Sequence, residues 1–182
     1  MKHFTEGKLV FMFNTSIIQT FQFDKHVDYQ KASNALQQTK GVDFLGIQDE
    51  TVLFFLEIKD FRGARIQNKK RLETGELTTE VGHKVRDSVA CMIGANHTSS
   101  DPQHWHPYLK LLFNPTTPIW VILWLETDVV AQHKIQKQKV NDQTLRHDLK
   151  RKLRWLTTKV EVCSQNNPPR SVPGVQVINS KT

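Results

Sequence analysis

Two cysteines in 182 residues, Cys91 and Cys163, are too few for a disulfide framework or for the four ligands of a structural zinc site, and such scarcity fits a reducing compartment. Long hydrophobic runs are also missing. The longest, residues 52–56 and 119–125, fall far short of the roughly 20 apolar residues a membrane helix needs, so no membrane association is expected. Residues 1–8 lack the basic head and apolar stretch of an export signal, and the expected location is the cytoplasm. Glycine-rich phosphate loops, dinucleotide fingerprints and serine-centred elbows are absent, which argues against an NTPase or an α/β-hydrolase. There are no repeats or low-complexity tracts. The hydrophobic fraction of 38% is modest, yet a chain of this length can bury a core and suits one domain, 1–182.

Charge is present and uneven. The formal net charge is +7, and residues 131–159 hold nine Lys+Arg against two Asp+Glu, which accounts for all of it. A second cationic stretch runs from Lys59 to Arg71, with six basic residues and one acid, Asp60. Both stretches suit a polyanionic partner.

Periodicity predicts the elements. Residues 9–13 and 17–23 read as short strands around a polar turn. Asp24 then caps a helix over 25–39, with Val27, Ala32, Ala35 and Leu36 as its apolar stripe and Gly41 as its stop. Strands follow at 42–47 and 51–59 as a hairpin, the second apolar on both faces until its last three residues, as expected of a central strand. Residues 60–75 read as a loop, 76–93 as a helix, 97–118 as a proline-containing loop with a helical turn at 108–113, and 118–126 as a buried strand. A helix at 141–156 and strands at 158–163 and 175–178 complete an α/β layer domain.

Within this frame Asp43, Glu57 and Lys59 stand out. Strand side chains alternate, so Glu57 and Lys59 share a face, and the hairpin brings Asp43 beside them. Two carboxylates and the Ile58 carbonyl make an all-oxygen donor set suited to Mg²⁺ or Mn²⁺, beside a lysine able to orient water. The chain has two other acid-x-Lys triplets. Glu6-Gly-Lys8 lies at a terminus expected to fray, and Asp148-Leu-Lys150 lies in a helix, where positions two apart diverge. Only the middle triplet ends a buried strand with an aspartate on the strand before it.

Val42-Asp43, thirteen residues, then Glu57-Ile-Lys59 after a helix resembles the PD-(D/E)XK nuclease superfamily, over roughly residues 24–127. The resemblance implies a restriction-endonuclease-like αβββαβ core with a mixed central sheet flanked by helices, residues 128–182 adding a basic helix and strands. It implies a metal-dependent nuclease with Asp43 and Glu57 as ligands, Lys59 as the catalytic lysine and Mg²⁺ or Mn²⁺ as cofactor. The partner implied is nucleic acid, DNA ahead of RNA, with a homodimer or a partner subunit in many members. Val42 departs from the motif's proline. The glutamate that many members carry on the first helix is missing, which leaves Asp24 and Asp28 as alternatives. A nuclease fold with a silent site, binding nucleic acid or protein, is the competing expectation.

The remaining candidates follow from position. Arg62, Arg65, Lys69, Lys70 and Arg71 beside the site, and Lys150, Arg151 and Arg154 on the last helix, are expected to contact phosphates. Lys84 is expected to pair with Glu80 on the helix surface; the resemblance implies, as an alternative, that it supports the site, since the equivalent helix of that fold can reach the active site. Trp155 is expected to pack, Cys91 to lie in the core, and His97, His104 and His106 to match no zinc spacing.

Overall fold

A computed structural model describes residues 1–128 and 135–180, with side chains described at all of these but residues 65, 66, 69 and 135–140. The chain runs β1 (Lys2–Glu6), β2 (Leu9–Phe13), β3 (Ile18–Gln22), α1 (Val27–Ala35), β4 (Phe44–Gln48), β5 (Val52–Asp60), α2 (Arg65–Glu73), α3 (Glu76–Thr98), a 3-10 turn at Pro102–His104, α4 (His106–Phe113), β6 (Ile119–Glu126), α5 (Ile135–Leu153), β7 (Val160–Cys163) and β8 (Val175–Asn179).

The central sheet has five strands in the order β3-β4-β5-β6-β7. Its β3–β4 and β4–β5 pairs are antiparallel, and β5–β6 and β6–β7 are parallel. Strand alternation divides its side chains between two cores. Odd positions on β4, β5 and β6 (Leu45, Ile47, Leu53, Phe55, Val121, Leu123, Leu125) meet the apolar sides of α3, α4 and α5. Even positions (Phe44, Phe54, Leu56, Ile58, Ile122, Trp124) meet Leu9, Phe11 and Phe13 of the three-stranded sheet β1-β2-β8. Edge-to-face pairs such as Phe11–Trp124 and Phe4–Phe44 add about 0.5–1.5 kcal/mol each beyond the area they bury. A mixed sheet flanked by helices is therefore present, and β5 is its central strand, apolar on both faces because both are covered.

Several local expectations fail for physical reasons. Residues 65–73, read as a loop, form α2. Arg, Gln, Lys, Leu and Glu favour helix, but Ile66 and Leu72 are its only apolar positions, so no stripe announces it. Gly75, at φ 74°, makes the left-handed link from α2 into α3 that a β-carbon would strain. Helix α1 is capped by His26, whose Nδ1 accepts the Asp28 amide, and not by Asp24. Val27 and Leu36 of its expected stripe are exposed. Gly41 lies six residues beyond the helix end and serves close packing, since a β-carbon there would stand 2.7 Å from the Tyr29 ring. The N-terminus pairs with β2 as a strand, and Trp155 is exposed where packing was expected. Between α1 and α3 the chain makes two strands, not the three of the αβββαβ order; the strand beside β4 is β3, which precedes α1.

Candidate active site

Asp43 comes one residue before β4, and its position is set from both ends of the residue. Its carbonyl accepts the Phe23 amide at 2.9 Å, and its Oδ2 accepts the Ile58 amide at 2.6 Å. The odd amides of β5 point to β6, as Leu53 to Pro118 and Phe61 to Glu126 show, so the amide and carbonyl of Ile58 face the Asp43 side. A side-chain oxygen thus continues the ladder where the backbone of β4 ends.

Glu57 and Lys59 project from the odd face of β5 at its C-terminal end, where the α3 core stops. The Glu57 side chain is fully buried. Lys59 Nζ stands 3.1 Å from Glu57 Oε1 and donates to Glu80 Oε1 at 2.8 Å. Arg71 bonds the other Glu80 oxygen, and its guanidinium lies over the Phe61 ring. Lys84, one turn after Glu80 on α3, reaches Glu57 at 2.7 and 2.9 Å and Asp43 Oδ1 at 3.4 Å. The surface Glu80–Lys84 pair expected from their spacing is not what forms: each residue turns inward to a different partner. Apolar spacing marked the inner face of α3 but not which of its charged residues lie beside the strand ends.

The electrostatics follow from burial. Burial raises the Asp43 carboxyl against the pull of Lys84 and of the Ile58 amide. Burial and then Asp43 push Glu57 up to about 7, against Lys84 and Lys59. Burial opposes the Lys84 charge, but Glu57 and Asp43 outweigh it and hold the ammonium firmly protonated. The two shifts pull the Glu57–Lys84 pair in opposite senses. Cation contacts at 2.7 and 3.1 Å to one carboxylate oxygen favour the ionised pair. Glu80 resists its burial and is held low by Lys59 and Arg71.

Of the two aspartates left open by sequence, Asp28 is committed elsewhere: its Oδ2 accepts the Trp105 indole N–H at 2.9 Å and its Oδ1 pairs with Lys31. Asp24 lies close enough to Asp43 to feel its charge. Burial, then Asp43 and Glu6, lift its carboxyl to about 6, and its Oδ1 is buried without a hydrogen-bond donor. Glu6, on a segment expected to fray, sits on β1 close enough to act on both Asp24 and Asp43.

The expected phosphate contacts divide. Arg62 is held by Asp60 and Asn179, and Arg71 by Glu80 and Glu76, so neither guanidinium is open. Lys70 is exposed, while the side chains of Arg65 and Lys69 lie outside the described residues. On α5, Arg151 pairs with Asp148, and Lys150 and Arg154 are exposed. Just after α5, Thr157 bonds the Ile119 carbonyl at the start of β6, and Lys152 near the end of α5 bonds the Gly75 carbonyl and the Thr78 and Thr79 hydroxyls at the start of α3. Cys91 is in the core, with burial pushing its thiol up to about 11.

Among the described residues no three His, Cys, Asp or Glu side chains converge as a ready metal site. Two carboxylates do share one cationic neighbour, and Mg²⁺ commonly takes one or two carboxylates and fills its shell with water. Glu57 Oε1, like Asp24 Oδ1, is buried without an aligned hydrogen-bond donor. The oxygen chemistry of Asp43, Glu57 and the Ile58 carbonyl fits a hard divalent ion. Comparison with protein-family models, curated proteins and solved structures returned no match to this chain.

Proposed function

We propose that the chain is a Mg²⁺- or Mn²⁺-dependent nuclease of the PD-(D/E)XK type, hydrolysing phosphodiesters of DNA, or of RNA, in the cytoplasm. One observation carries the reading: Asp43, Glu57 and Lys59 meet on one face at the end of the central strand, with the Asp43 carboxylate fixed by the Ile58 amide. Asp43, Glu57 and the Ile58 carbonyl would hold the ion. When bound, such an ion supplies Lewis acidity toward the phosphodiester. Lys59 orients the attacking water and offsets developing negative charge, and Glu80, itself clamped by Arg71, sets the direction of the Lys59 ammonium. The exposed Lys70, Lys150 and Arg154 grip the backbone through charge, and a second copy or a partner subunit extends the contact surface.

The test is cleavage of DNA and RNA by purified protein with Mg²⁺ or Mn²⁺. Wild type should cut, and Asp43→Asn and Lys59→Ala should not while remaining folded. Equal cutting by all three would sink the assignment. A second reading, a silent scaffold that binds nucleic acid, is favoured by the closed charge balance of the site, where both carboxylates already have a lysine. It predicts salt-dependent binding indifferent to metal and to Asp43→Asn.

A further inference from the structure

Three carboxylate oxygens converge on one atom, and that atom is nitrogen. Lys84 Nζ stands 2.7 Å from Glu57 Oε1, 2.9 Å from Glu57 Oε2 and 3.4 Å from Asp43 Oδ1. These are the two side chains that would hold a divalent ion, and a cation shared between two buried carboxylates is the electrostatic task that ion performs. Lys59 is placed differently. It stands 3.1 Å from Glu57 Oε1 but 2.8 Å from Glu80 Oε1, so its closer partner is Glu80.

We propose that Lys84 is a tethered stand-in for the divalent cation, holding Asp43 and Glu57 together in the metal-free protein and leaving them when the ion binds. The inference rests on the metal-dependent reading of this site and adds its regulation: the ion competes with a lysine of the same chain. The backbone under Lys84 is pinned, since its carbonyl accepts the Ser88 hydroxyl at 2.8 Å and that hydroxyl accepts the Val42 amide at 3.0 Å, one residue from Asp43. Exchange therefore needs only the flexible four-carbon side chain to swing, not the helix. The Lys84 side chain is 15% exposed, which leaves it a route to solvent. Glu80, one turn back on the same helix face, is the carboxylate within reach of the displaced ammonium. Lys59 stays in place through the exchange because Glu80 and Glu57 hold it from two sides.

The experiment measures Mn²⁺ binding by calorimetry and thermal shift on chelator-treated wild type, Lys84→Met and Asp43→Asn. Removing a unit charge a few ångströms from the ion's place should tighten Mn²⁺ binding by about tenfold or more in Lys84→Met. The same variant should melt lower than wild type without metal and gain more from Mn²⁺; Asp43→Asn should bind weakly or not at all. Equal Mn²⁺ affinity in wild type and Lys84→Met, with binding lost in Asp43→Asn, overturns the stand-in while leaving the metal-dependent reading intact. Absence of Mn²⁺ binding in every variant overturns both. Should Lys84→Met fail to fold, amine acylation of wild type followed by mass spectrometry gives the same answer. Lys84 labelling should rise several-fold on saturation with Mn²⁺ while Lys59 labelling stays flat, and a Lys84 rate unmoved by Mn²⁺ overturns the proposal.

Discussion

Asp43 and Ile58 face one another across the end of the β4–β5 ladder, the carboxylate of one accepting the amide of the other at 2.6 Å. A side chain thus takes the place of a backbone rung. Because the bond fixes Asp43 against β5 itself, the aspartate keeps its register with Glu57 and Lys59, the neighbours of Ile58 on that strand.

That bond separates two substitutions at one position. Asp43→Asn retains an oxygen acceptor for the Ile58 amide and should fold, whereas Asp43→Ala leaves a buried donor unpaired and should cost a further 1–3 kcal/mol or about that. Urea titration of both variants checks the difference. Both should lose metal-dependent cleavage, and Lys59→Ala should reduce it by about 10²–10⁴-fold if the lysine positions the attacking water.

Asp24 gives a dependence of stability on pH. Its folded carboxyl holds a proton up to about pH 6, against an ordinary value of 3.8, chiefly because of burial and the Asp43 charge. The folded state binds the proton more tightly than the unfolded chain does, so stability falls as pH rises through that window and stays lower above it. Asp24→Asn should match wild type near pH 3 and be the more stable protein at pH 7 without metal. Denaturant midpoints across the range read this directly, and a constant difference at every pH would contradict it.

Asp148 gives the opposite slope. Burial works against its charge, but Lys152, Thr78 and Arg151 hold it down to about 2. Lys152 also bonds the Gly75 carbonyl and the Thr79 hydroxyl, so the group fastens α5 to the start of α3. Here the contribution is full above the ordinary value of 3.8 and is lost as pH falls through about 2. Asp148→Asn should therefore melt lower than wild type at neutral pH, and the gap should close in acid.

The cations should separate by function. Lys150→Glu and Arg154→Glu alter exposed charges and should each weaken DNA binding and lower the salt slope by about one. Arg62→Ala removes a guanidinium already bonded to Asp60 and Asn179, and it should lower stability while leaving the salt slope unchanged. Binding isotherms at several salt concentrations distinguish the two kinds.

Much of the site was legible because its signal is local. Glu57 and Lys59 are two apart on a strand, and period two alone places them together. Asp43 needed only the hairpin. Lys84 and Glu80 carried no comparable signal: their spacing describes a surface pair equally well, and only the packing of α3 across the strand ends turns one to Glu57 and the other to Lys59. Helix α2 was missed because propensity without an apolar stripe reads as a polar loop. The charge of Lys59 to Arg71 was legible as composition, but the carboxylates that take up Arg62 and Arg71 were not, since Glu80 is nine residues from Arg71 and the Asp60 bond depends on the turn after β5.

By itself the sequence determined the central strand, the two carboxylates and lysine at its end, and the basic bias of the last helix, because each follows from nearest-neighbour periodicity or from simple counting. Only the tertiary structure decided which charges meet. It placed Lys84 between Asp43 and Glu57, committed Asp28 to Trp105, and fastened the end of α5 to the start of α3. The reason is physical: an ion pair is settled by distance and burial between residues far apart in the chain, and neither is encoded in the spacing along one strand or helix.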